Sequence, residues 1–175
     1  MALMSYSQVR PWAKAIKEEI HERRMPPWGA MKGFGEFKDD TSLNAVEIHL
    51  IADWVEGGAP EGDPQYLPLV PPPPPAVKAA PKTAMRGVRH GERLGPLRIL
   101  SIKPPLGLLE GASLQVVAEQ PDGATIPMLW LYNFRPKHAR TFIYREPVQL
   151  PGGAVLRISG DSSGQIRITT APAKP

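Results

Sequence analysis

The sequence predicts an α+β chain: a small helical unit, a proline-rich linker, and then a small all-β sandwich or barrel. Three observations carry this expectation. Apolar residues recur every three or four positions through the first third of the chain. Nine prolines fall between Pro60 and Pro81, five of them consecutive. Short apolar, β-branched runs separated by Gly, Pro and Asp turns fill most of the chain beyond the prolines. The expected boundaries are a helical domain at 1–63, a linker at 64–84 and a β domain at 85–172.

Ser7 can cap a first helix running to about Arg23, with Val9, Ala13, Ile16 and Ile20 as its apolar stripe. Pro11 falls in the first turn, where a missing N–H does little harm. Arg24-Met25-Pro26-Pro27-Trp28 must end that helix, because a residue before proline is pushed out of the helical region. A glycine-rich loop comes next, and Asp39-Asp40 within it reads as serving the dipole of the next helix. Asn44 with Glu47 three residues later is a capping pair. Ile48, Ile51 and Val55 give the second helix its inner face, with Trp54 beside it, until Gly57-Gly58 stops it. The Pro71–Pro75 run has no backbone donors and favours a polyproline II spacer, roughly 15 Å long at about 3.1 Å per residue.

The β half offers six strand candidates: 97–102, 113–119, 125–132, 142–144, 154–158 and 165–169. Pro121-Asp122-Gly123 and Pro151-Gly152-Gly153 are the clearest turns between them. Six strands in so short a stretch suit a sandwich or open barrel.

Composition narrows the chemistry. The 175 residues include 22 prolines, 16 glycines and no cysteine. The absent thiols exclude disulfides, zinc-thiolate sites, iron–sulfur clusters, thiol catalysis and thioether-linked haem within this chain. No apolar run is long enough to span a membrane, and Met1–Arg10 shows no charged-then-apolar signal pattern. Residues 1–63 hold seven Lys/Arg and eleven Asp/Glu, a balance of −4; residues 64–175 hold fourteen and six, or +8. The basic residues of the second half are scattered, with no aromatic-rich RNA-binding motif among them, so nucleic acid is not expected as a partner. No Gly-x-Ser-x-Gly elbow or phosphate loop occurs, and Asp161-Ser162-Ser163-Gly164 reads as turn chemistry.

One stretch is familiar. Tyr6…Arg10-Pro11-Trp12-Ala13, Arg24-Met25-Pro26-Pro27-Trp28, Phe37-Lys38-Asp39-Asp40…Glu47-Ile48 and Trp54-Val55…Gly57-Gly58-Ala59-Pro60 together resemble a cytochrome c-like domain of large secreted bacterial proteins. The resemblance implies haem c, electron transfer to a protein redox partner or within a larger assembly, and a periplasmic or extracellular location. It implies Met25 as the distal haem ligand, with Pro26, Pro27 and Trp28 forming the stiff turn and pocket wall around it. A thioether is a soft, neutral ligand that raises the haem potential, which fits that role. Filling a gap between helices is the plainer use of such a methionine. Met31, His21 and His49 are lesser candidates, and His49 reads as a surface residue. In the family a CxxCH motif lies just upstream of the stretch matching Met1-Ala2-Leu3-Met4. The resemblance therefore implies an N-terminally shortened chain with no covalent attachment site. The alternative is a non-catalytic interaction or accessory subunit that has lost haem.

A weaker resemblance links Trp130-Leu131-Tyr132-Asn133-Phe134 and Phe142-Ile143-Tyr144…Pro147…Leu150-Pro151-Gly152-Gly153 to the C-terminal lobe of ascorbate-dependent type II copper monooxygenases. That lobe uses a His-x-His pair and a methionine. Here no His-x-His exists, and only His90 and His138 occur in the half, so no copper is expected. His138 lies among Arg135, Lys137 and Arg140, a loop that repels cations, and Met128 reads as core.

Overall fold

A computed structural model describes residues 3–66, 85–162 and 164–173. Three short helices come first: α1 (Tyr6–Val9), α2 (Ala13–His21) and α3 (Ala45–Glu56), with a 3-10 turn at Arg10–Trp12 between α1 and α2. The helix begins slightly earlier than expected, at Ser5, whose side chain makes no capping bond to the helix. Pro11 cannot donate to the ladder, so the chain tightens into the 3-10 turn before α2 resumes. The capping box on α3 forms as the sequence predicts. Glu47 N–H donates to Asn44 Oδ1 at 2.8 Å, and Asn44 N–H donates to Glu47 Oε2 at 2.7 Å. Gly57 closes the helix by donating to the Asp53 carbonyl.

Within this unit α2 packs against α3. Ala13, Ile20 and Ala59 are its buried apolar residues among those described. Tyr6 Oη donates to the Ala59 carbonyl at 2.8 Å, Trp54 Nε1 to the Pro60 carbonyl at 2.9 Å, and Lys17 pairs with Glu56.

Among the described residues eight strands come after the helices: β1 (Met85–Val88), β2 (Arg93–Leu94), β3 (Leu97–Lys103), β4 (Leu114–Glu119), β5 (Thr125–Leu131), β6 (Phe142–Leu150), β7 (Ala154–Gly160) and β8 (Ile166–Pro172). They form two antiparallel four-stranded sheets, ordered β1-β8-β3-β6 and β2-β7-β4-β5. The sandwich is closed by Ile99, Ile102 and Ile168 from one sheet and Leu114, Val116 and Leu156 from the other, all fully buried. Alternation shows most clearly in β4, whose residues are buried at Leu114, Val116 and Ala118 and half-buried between.

Two of these strands, β1 and β2, are not expected from the sequence, and β6 runs six residues past the expected Tyr144. Pro147 falls within β6, but β6 is an edge strand, where a missing N–H is tolerated. Its pairing with β3 skips from Ile143 to Val148, leaving residues 144–147 outside the ladder.

The chain divides between the units differently from a boundary at 63. The helical unit takes 3–25 and 43–66, while 26–42 belongs with the strands. The reason is hydrogen bonding at the sheet edges. Ala30 bridges Leu131 of edge strand β5, with Met31 N–H on the Trp130 carbonyl at 2.8 Å. Phe37 bridges Tyr144 of edge strand β6, with Lys38 N–H on Ile143 O and Arg145 N–H on Glu36 O, both at 2.8 Å. The segment is a strap that joins one edge of each sheet and covers backbone groups that would otherwise invite edge-to-edge pairing. Of the expected linker, only 64–66 lies within the described residues, as a 3-10 turn.

Candidate functional site

The Met-Pro-Pro-Trp turn stands where the chain passes from one unit to the other. Met25 ends the first of the two segments that make up the helical unit. Its N–H, like that of Arg24, donates to the Glu19 carbonyl, which ties it to the end of α2. Arg24 holds this end with ion pairs to Glu19 at 2.9 Å and Glu18 at 3.3 Å. The Met25 side chain is 53% exposed.

The other three residues of the turn belong to the sandwich. The Pro26 carbonyl accepts from Trp28 N–H at 2.8 Å, and the Pro27 carbonyl accepts from the Arg140 guanidinium at 3.0 Å. Trp28 is 4% exposed and meets Phe142 edge-on at 5.4 Å and Phe37 at 6.4 Å. Phe37 in turn packs on Phe142 and Tyr144. Arg140 caps the indole with its guanidinium 5.0 Å from the ring centroid, a cation–π contact. The ring that the cytochrome resemblance assigns to a haem pocket is thus committed to the sandwich core. Its Nε1–H is buried without an acceptor.

Tyr144 shows the same commitment. Its hydroxyl donates to the Met128 carbonyl at 2.8 Å, and burial drives its pKa far above the usual tyrosine value, so it stays protonated and structural. Met128 is fully buried, as the sequence suggests.

The remaining candidates are dispersed. His21 and His49 are exposed on α2 and α3. Met31 lies on the strap, half-buried. His90 Nδ1 lies 2.7 Å from the Ile158 carbonyl, which accepts from its N–H, and so anchors β7. His138 has its pKa lowered by burial first and then by Lys137, Arg135 and Arg140, so the neutral form is favoured in the cation-repelling loop. Asp40 does not serve the α3 dipole: its Oδ1 accepts from Ser42 N–H at 2.8 Å and from Ser42 Oγ, closing a local turn. Among the described residues no three His, Cys, Asp or Glu side chains group as metal ligands.

Recessed surface lies elsewhere. The helical unit carries an open groove of about 770 Å³, lined by Tyr6, Val9, Trp54, Pro60 and Tyr66 among others. Trp54 continues the line of Val46 and Leu50 along α3, each one turn from the next. Val46 is 66% and Leu50 63% exposed, and α3 buries none of its residues. The sequence holds a signal for this surface: apolar residues occur around nearly the whole of α3, more than one buried face can use. Comparison with known protein families, curated proteins and solved structures found no match.

Proposed function

We propose that this chain is a non-catalytic interaction module, an accessory piece of a larger protein assembly, with its docking surface on the helical unit. The observation that carries the reading is the Val46–Leu50–Trp54 stripe of α3, apolar, with Val46 and Leu50 exposed and Trp54 half-buried in the wall of an aromatic groove. Exposed contiguous apolar surface of this kind marks interaction sites. The occupant is an amphipathic protein segment with a basic rim. Its apolar face would lie along the stripe, and its cations would meet Asp53, Glu61 and Asp63, within the 1–63 stretch whose balance is −4.

The test is affinity purification of the full chain from its native cells. A protein partner is expected in stoichiometric amount, bound more weakly at high salt. The double variant Val46→Gln, Leu50→Gln is expected to lose it at least about tenfold, since each buried aliphatic side chain contributes about 1.5–3 kcal/mol to an interface. Melting of the variant should be unchanged within about 0.5 kcal/mol, because these are surface positions. Equal recovery of the partner by the double variant, or a chain that elutes alone, overturns the reading.

A second reading keeps the cytochrome resemblance: an electron carrier outside the cytoplasm, with Met25 as distal ligand to a non-covalently held haem. The observation in its favour is Met25 itself, half-exposed at the end of α2 and followed by two prolines. In this reading Trp28 supports the turn from within the sandwich core rather than walling a pocket. Haem titration followed by absorption decides it: binding that Met25→Ala abolishes supports it, and binding indifferent to that change removes Met25 from the account.

A further inference from the structure

Among the described residues, every large apolar side chain of the sandwich that stands exposed lies at one end of it: Leu106 at 82%, Leu109 at 76% and Tyr132 at 49%. Leu106 and Leu109 belong to the loop from β3 to β4, and Tyr132 to the loop from β5 to β6. Each loop crosses from one sheet to the other, and the two are tied together. Gly111 N–H donates to the Phe134 carbonyl at 2.8 Å, and Phe134 N–H to the Ala112 carbonyl at 2.9 Å. Leu108 and Phe134 are buried in the core and anchor the pair of loops. The chain thus turns Leu108 inward and its neighbours Leu106 and Leu109 to solvent. A single exposed leucine is ordinary. Two on one pinned loop, with an exposed tyrosine on the loop bound to it and no such residue elsewhere on the described sandwich, make a patch suited to docking.

The same loops are basic. Residues 103–113 and 132–141 hold four Lys/Arg and one Glu, a balance of +3. The carboxylate, Glu110, is taken by Arg135 at 3.5 Å. Lys137 is exposed and Lys103 half-buried, and among the described residues neither has a carboxylate within ion-pair distance. Arg140 is exposed as well. We propose that this end of the sandwich docks on an anionic lipid membrane. Leu106 and Leu109 would enter the boundary between headgroups and acyl chains, and Tyr132 would sit at headgroup level. Lys103, Lys137 and Arg140 would meet the lipid phosphates. Apolar insertion and charge attraction are each weak alone, and together they give stable peripheral binding. An acidic protein fits less well. The only described recess beside Leu106 is a depression of about 120 Å³, too small to receive a partner's side chains in a shaped interface. A fluid hydrocarbon boundary accepts protruding leucines with no matching pocket.

Co-sedimentation of the full chain with vesicles of mixed phosphatidylcholine and phosphatidylglycerol is the test, against vesicles of phosphatidylcholine alone. Binding is expected to the mixed vesicles, to weaken as salt rises, and to broaden the amide signals of residues 105–111 and 132–138 first. The double variant Leu106→Gln, Leu109→Gln should bind at least about tenfold more weakly. It should melt as the parent does, because both positions are on the surface. Lys137→Gln should bind about fivefold more weakly. Arg93→Gln removes the same charge from an exposed position at the opposite end of the strands and should bind as the parent does. The proposal is overturned by absent or equal binding to the two kinds of vesicle, by undiminished binding of the leucine variant, or by an equal loss in Arg93→Gln and Lys137→Gln. Retention on immobilised poly-glutamate as strong as on the mixed vesicles would assign the surface to an acidic protein and overturn it too.

Discussion

Replacing Trp28 with alanine is expected to destabilise the sandwich by about 3–5 kcal/mol, the usual cost of removing a large aromatic side chain from a core. The indole is 4% exposed and fills space between Phe37 and Phe142. Its removal opens a cavity and strips the edge-on contact with Phe142, itself worth about 0.5–1.5 kcal/mol beyond the buried area. Trp28→Phe should cost less. It keeps part of the volume and deletes the Nε1–H that has no acceptor in the core. Because two units melt in one chain, the effect must be read unit by unit, by hydrogen exchange of the β3, β4 and β8 amides against those of α2 and α3. Selective loss of protection in the strands is the expected result. Loss confined to the helices, or a change below about 1 kcal/mol, would show that Trp28 is not core to the sandwich.

That prediction turns on a feature the sequence conceals. Local signals are legible where the stabilising contacts are local. Asn44 and Glu47 lie three residues apart and make their reciprocal bonds within one helical turn. The β4–β5 hairpin around Pro121-Asp122-Gly123 is closed by its own turn, Gly123 N–H donating to the Gln120 carbonyl. The strap is different. Ala30 and Phe37 each bridge a residue about a hundred positions away, and two isolated bridges leave no periodicity to detect. Trp28, Phe34 and Phe37 therefore look like loop aromatics, and the turn before them reads as part of the helical unit. The short β1 and β2 escape for a related reason: Arg86, Gly87 and Arg93 give them no strand composition, and only pairing with β8 and β7 makes them strands. That Lys103 stands opposite Arg167 is likewise a property of register, which exists only once β3 and β8 are paired. The surplus apolar residues of α3, by contrast, are visible in the sequence, but not which of them stay exposed.

The strap also has a weak point. Gly35 sits at φ +90°, between the two bridging residues Ala30 and Phe37. A Cβ there would lie 2.6 Å from the Met128 carbonyl oxygen and 2.8 Å from Phe37 Cζ. Neither neighbour has room to move, for the same carbonyl accepts the Tyr144 hydroxyl and the Phe37 ring is 1% exposed. Gly35→Ala is therefore expected to cost about 1–3 kcal/mol in backbone strain alone, and the clash adds to it. Gly33 supplies the control. It has a similar φ of +79° on the same strap but nothing within 4 Å of its Cβ position. Gly33→Ala should carry the strain without the clash, so the difference between the two variants isolates the fit of the strap against β5. The larger loss also has a qualitative consequence. A strap lifted from its bridges uncovers the backbone of edge strands β5 and β6, and exposed edges pair with other chains. Gly35→Ala should accordingly scatter light in a concentration-dependent way under conditions where Gly33→Ala remains monodisperse. Equal stability and equal dispersity of the two variants would mean that the strap does not guard the edges and that its bridges contribute little.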